Sequence, residues 1–123
     1  MAAALDADDN VASMSIPVPL DELAAAVSEF GELGYLMSAG DDGRPRINHV
    51  RFRADGHVLH AGVGRRTAAA LTTEKKVSCL WPAIAPGGMS LIADGEATLS
   101  TVEDVTTATI AVTWAVRHAP PRS

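Results

Sequence analysis

The sequence predicts a mainly β fold: a six-stranded antiparallel barrel with two short helices. Three observations predict it. At Gly34 the apolar pattern changes from a helical period to a period of two and keeps it for most of the remaining chain. Turn signals at Gly40-Asp41-Asp42-Gly43, Ala54-Asp55-Gly56 and Ala85-Pro86-Gly87-Gly88 cut that stretch into pieces of strand length. Finally, six strands and one crossover helix in a chain of 123 residues favour closure over an open sheet with exposed edges.

The elements follow in order. Met1–Ser15, rich in Ala, Asp and Ser, carries little periodicity and is expected to be a flexible acidic arm, with residues 16–123 forming one domain. Leu20–Phe30 is expected to be an amphipathic helix. Leu20, Leu23, Ala24, Val27 and Phe30 share one face, Asp21 and Glu22 suit the dipole of the first turn, and Gly31 ends it. Tyr35–Ala39, Pro45–Arg53 and His57–Gly62 are strands joined by the first two turns, a meander of two hairpins. Arg65–Thr73 is Ala-rich and helical, with Leu71 on its apolar side. Val77–Ile84 is the next strand, and Met89–Ser100 a longer one with a bend at Gly95. Thr106–Arg117 is long enough for a helix. Its Ile110, Val112, Trp114 and Val116 nevertheless alternate with Thr109, Ala111, Thr113 and Ala115, so it is assigned as the sixth strand.

Composition narrows the function. Apolar residues make up 47% of the chain and aromatic ones only 4%, so the core rests on Val, Leu, Ile and Ala. A core of that size gains from burying more surface in an oligomer. One cysteine, Cys79, permits no internal disulfide, and no apolar run approaches the roughly 20 residues of a membrane span. A cytoplasmic location with no membrane partner is the expectation. The net charge of −5 argues against nucleic acid as a partner. Its distribution is more telling: all ten basic residues lie from Arg44 onward, and the arginines are bunched, which suits a small anionic ligand.

The stretch from Val50 to Leu71 carries the most chemistry. A strand ending in Ala61 and Gly62 runs through Val63-Gly64 into Arg65-Arg66-Thr67 and a helix. Small residues admit a ligand to the backbone, a helix start offers unbonded N–H groups, and Arg and Thr add donors. The same residues would equally serve as a solvated helix start with two surface arginines. His49, Arg51 and Arg53 share a strand face with Ile47, opposite Val50 and Phe52, and such a face meets solvent or a polar groove, solvent being the commoner case. Arg44 and Arg46, beside the turn, are expected to be surface charges. His57 and His60 point to opposite faces, and His49 and His118 are remote, so no metal site is expected. Cys79 alternates with Val77 and Trp81 and is expected to be a buried, inert thiol. No catalytic residue stands out.

Taken together, these segments resemble the FMN-binding split barrel of the pyridoxamine 5'-phosphate oxidase superfamily, in its short form. The likeness covers about Leu20 to Pro120. It is carried by Gly34–Ala39, Asp42-Gly43-Arg44-Pro45, Val50–Arg53, Leu59–Leu71 with Gly-Arg-Arg-Thr at its centre, Val77–Pro82, and Pro86–Gly95 with Ser90-Leu91-Ile92 and Asp94-Gly95. The resemblance implies FMN, or the related deazaflavin coenzyme F420, held at the interface of a homodimer. It implies the cofactor phosphate on Arg66 and Thr67, and the ring along Asn48, His49, Val50 and Arg51 near Ala61 and Gly62. The chain departs from the oxidases proper at Thr67, where they carry lysine, at Gly62, where a hydroxyl or amide is common, and in lacking their C-terminal substrate segment. Pyridoxine chemistry is therefore not implied. The expected function is oxidation or reduction of an unidentified small molecule. The alternatives are a non-catalytic cofactor carrier and a barrel that has lost its cofactor and binds a partner.

Overall fold

The computed structural model describes residues 14–121. Seven strands and two short helices follow one another: β1 (Ser15–Pro17), α1 (Leu23–Phe30), β2 (Leu33–Ala39), β3 (Pro45–Asp55), β4 (Val58–Val63), α2 (Arg65–Thr73), β5 (Lys76–Trp81), β6 (Ser90–Val102) and β7 (Val105–His118). The strand order is β1-β7-β4-β3-β2-β5-β6, and β6 pairs back onto β7. Six strands therefore close an antiparallel barrel, as the alternation predicts, and β1 is an additional strand on β7.

The barrel interior follows from the period of two. Leu36, Phe52, Leu59, Cys79, Trp81, Leu91 and Ile110 are fully buried, together with Leu23 of α1 and Leu71 of α2. The rings of Phe52 and Trp81 meet at 4.8 Å with an interplanar angle of 45°, within the range that tilted aromatic pairs favour. Helix α1 lies beside Phe52 and Ala54 in the C-terminal half of β3. Helix α2 lies beside Arg46 and Asn48 in its N-terminal half. The two helices thus sit toward opposite ends of the barrel.

β7 runs as one strand from Val105 to His118, paired with β6 along its whole length. The register between them slips once, between Asp94 and Gly95, where the sequence suggested a bend. A methyl group on Gly95 would run into the backbone carbonyl of Ala111, so glycine is needed there for close backbone approach.

Two expectations need correction, and a third lies mostly outside the described residues. Leu20–Phe30 is not one helix: Leu20–Glu22 forms a 3-10 turn after Pro19, and the α-helix starts at Leu23. The strand expected over Val77–Ile84 ends at Trp81, because Pro82 has no N–H to continue the ladder. The acidic arm expected over Met1–Ser15 falls largely on residues 1–13, outside the described residues. Ser15, its last residue, belongs to β1, where it pairs with His118 in the β7 ladder. Among the described residues, no helix is long and apolar enough to cross a membrane.

Candidate functional site

The barrel is incompletely zipped between β3 and β4. β3 pairs with β2 from Pro45 to Arg51, but with β4 only from Phe52 to Asp55. Beyond Ala61, β4 keeps its partners on β7, with Gly62 opposite Thr107 and Val63 opposite Thr106. Residues Asn48–Arg51 and Gly62–Gly64 therefore diverge and leave a split.

Backbone polarity follows from this geometry. The Phe52 N–H donates to the Glu32 carbonyl, toward β2, at 2.7 Å. Backbone groups alternate along a strand, so the N–H and C=O of His49 and Arg51 point the other way, into the split. On the facing side, a methyl group added to Gly62 or Gly64 would meet nothing within 4 Å. Helix α2 starts just beyond, with Gly64 as its N-cap and no side chain bonding the first-turn N–H groups. An open split, unpaired backbone donors and an uncapped helix start lie together.

Side chains complete the picture. On the outer face of β3, Ile47, His49, Arg51 and Arg53 are exposed, while Val50 and Phe52 point inward. The His49 ring stacks on Tyr35 of β2 at 4.9 Å and 21°. Arg51 donates from Nη1 to Glu32 Oε2 at 2.8 Å, an exposed ion pair worth under about 1 kcal/mol. Thr67, in the first turn of α2, is only 4% exposed, and its hydroxyl donates to Asn48 Oδ1 at 2.9 Å. Arg66 lines a hollow of about 430 Å³ together with Arg46, Asp41, Ala69, Ala70 and Thr73. Among the described residues, the only ion pairs are Arg51–Glu32 and Arg117–Glu29, so the guanidiniums of Arg46 and Arg66 have no carboxylate partner.

The structure therefore gathers Asn48, His49, Arg51, Gly62, Arg66 and Thr67 around the split and the start of α2. Val50 and Ala61 lie on the same stretches, but their side chains are buried and their backbones sit within the sheet, Val50 opposite Gly34 and Ala61 between Phe52 and Ala108, so the structure does not bring them to the split. Arg46 is the residue that sequence reasoning misplaced. Expected on the surface beside the turn, it is half-buried and shares the hollow with Arg66. The signal was present: Arg46 stands four and six residues before Val50 and Phe52, on the inward face of the same strand. Arg44 is exposed and does not line the hollow. Cys79 is buried, its thiol pushed up to about 12 by desolvation and, secondarily, by the negative charge of Asp94, so at neutral pH it is a packing residue. Among the described residues, no group of three His, Cys, Asp or Glu side chains could hold a metal ion.

No protein-family model and no curated protein matches the sequence. Solved structures do. A provisionally assigned pyridoxamine 5'-phosphate oxidase from Listeria innocua superposes with a TM-score of 0.69 at 19% identity, covering 80% of this chain and 98% of its own. An F420 reductase gives 0.63 at 19% identity over the same two shares. An FAD-binding protein from Mesorhizobium loti gives 0.68 at 13% identity, covering 86% of this chain and 99% of its own. At these identities the likeness is one of fold, and the chain has the split-barrel fold of the pyridoxamine 5'-phosphate oxidase-like proteins.

Proposed function

We propose that the chain binds a flavin-type cofactor, FMN in preference to the deazaflavin coenzyme, in the split between β3 and β4, and acts as an oxidoreductase on a small molecule. One observation carries this reading. The strands part where Gly62 and Gly64 leave open space, and Arg66 at the adjoining helix start shares a hollow along α2 with Arg46, neither guanidinium having an ion-pair partner among the described residues. The donor set fits the group. Arg46, Arg66 and the first-turn N–H groups of α2 suit a terminal phosphate, and the backbone N–H groups of His49 and Arg51 suit the acceptor edge of a flat ring. Among structural neighbours, one is an F420 reductase and another an FAD-binding protein, which supports a cofactor of this kind.

When bound, such a cofactor supplies reversible transfer of a hydride, two electrons with one proton, to or from the small molecule. The residues of this chain have simpler work. Arg46 and Arg66 neutralise the phosphate, the glycines admit the ring to the backbone, and the His49–Tyr35 stack forms an aromatic margin on the outer face of β3. This also explains why no acid–base residue is evident in the sequence.

The reading includes a homodimer. The outer faces of β7, β6, β5, β2 and β3 carry two cross-strand rows, Trp114-Asp94-Ser78-Met37-Ile47 and Val116-Ile92-Leu80-Tyr35-His49. Ile47 at 62% exposure, Leu33 at 51% and Trp114 at 49% leave this face more apolar than solvent favours. A second copy covering it would bury roughly 2,000 Å² or more in total.

The test is an equilibrium titration of FMN and of the deazaflavin coenzyme, followed by the change in cofactor fluorescence. Saturable binding of either at one per chain supports the reading; turnover with a reductant then separates an oxidoreductase from a carrier. Failure of both cofactors to bind overturns it.

A further inference from the structure

Thr67 stands at the residue position where the resemblance suggests a phosphate contact, yet its hydroxyl is turned away from solvent. It is only 4% exposed, and its one hydrogen bond goes to Asn48 Oδ1, 19 residues back on β3. That bond sets the Asn48 carboxamide with its Oδ1 toward Thr67. Its oxygen is held by Thr67, so its NH₂ must point elsewhere. This NH₂ is bonded to nothing among the described residues, and it is not one of the buried polar side-chain atoms left without a partner, which are Ser38 Oγ and Trp81 Nε1. An amide whose oxygen is held by a buried hydroxyl and whose NH₂ is unbonded has both of its donors free for a ligand.

We propose that Thr67 is a positioning residue: it fixes the Asn48 side chain so that the amide NH₂ donates to an acceptor oxygen of the ligand bound at the split. This deepens the cofactor-binding reading above and rests on it. The contact adds selectivity as well as affinity. A donor held in direction by the Thr67 bond rewards a ligand that presents a carbonyl or phosphoryl oxygen at that point.

The experiment uses the full chain and FMN as the probe, with affinity and melting temperature measured on every variant. Thr67→Val keeps the shape and removes the hydroxyl, so the amide is released; FMN affinity should fall about tenfold. Thr67→Ser restores the hydroxyl and should bring the affinity back to within about twofold of the parent. Asn48→Ala should lose as much as Thr67→Val, and the double variant no more than either alone, because both act through one donor. The proposal is overturned if Thr67→Val lowers the melting temperature with FMN affinity unchanged, which marks a purely structural bond. It is also overturned if Thr67→Ser fails to rescue, or if the two losses add in full. If the parent itself binds neither FMN nor the deazaflavin coenzyme, the cofactor reading has failed instead, an outcome distinct from every one of these.

Discussion

Removing the Arg66 guanidinium should weaken FMN by about tenfold to thirtyfold. A hydrogen bond to a charged group contributes about 1.5–3 kcal/mol. Arg66 is exposed at the rim of its hollow, so water screens it and the lower part of that range applies, about 1.5–2 kcal/mol. Each 1.4 kcal/mol is about tenfold in affinity. Arg46 is half-buried in the same hollow, where screening is less, so Arg46→Ala should cost more, about thirtyfold to a hundredfold. Arg44 supplies the charge control. It carries the same charge two residues from Arg46, but it is exposed and its structural role is a backbone N–H donated to Asp42 Oδ1. Arg44→Ala should therefore bind within about twofold of the parent. The assay is fluorescence titration at two salt concentrations, and the Arg46 and Arg66 losses should shrink at high salt, as screened charges do. Three variants binding alike would refute the phosphate site. Equal losses in all three would show that net charge, not the hollow, governs affinity.

Three further outcomes follow from the packing. Gly95→Ala forces a methyl group against the Ala111 backbone, which cannot move as a side chain would. It should cost about 1–3 kcal/mol and lower the melting temperature by roughly 5–15 °C, while Gly62→Ala, with open space around it, should change it by under about 2 °C; circular dichroism during heating reads both. Cys79 is raised from 9.0 to about 12 in the folded chain, so the stabilisation it provides is complete below pH 9 and is lost as pH rises from there toward 12. Thiol reagents should leave the folded protein unlabelled at pH 8 and label it after unfolding, and Cys79→Ala should flatten the alkaline fall in stability. Ile47→Glu places a charge in the outer apolar face, and light scattering should show the parent as a dimer and this variant as a monomer.

Much of the fold was legible because alternation is a local signal. β7 is the clearest case: its length fitted a helix, but Ile110 and Val112 on one side and Thr109 and Ala111 on the other fitted a strand, and a strand it is. β1 had no such signal. It is three residues long, contains Pro17, and exists only because Ser15–Pro17 meet Val116–His118 about a hundred residues away. The site divides in the same manner. The glycines and the arginine at the helix start could be read from adjacent positions. Arg46 required applying the strand's own alternation past the point where the turn drew attention to its charge. The Thr67–Asn48 bond joins a helix to a strand, and no spacing along the chain announces it.

The most direct measurement is hydrogen–deuterium exchange of the full chain with and without saturating FMN. The N–H groups of His49 and Arg51 face the split with no strand opposite, and those in the first turn of α2 have no cap, so these amides should exchange fast in the free protein. FMN should slow exchange in the peptides covering residues 48–51 and 62–67. Protection that falls elsewhere, with residues 48–51 and 62–67 exchanging as before, would contradict the placement of the cofactor in the split.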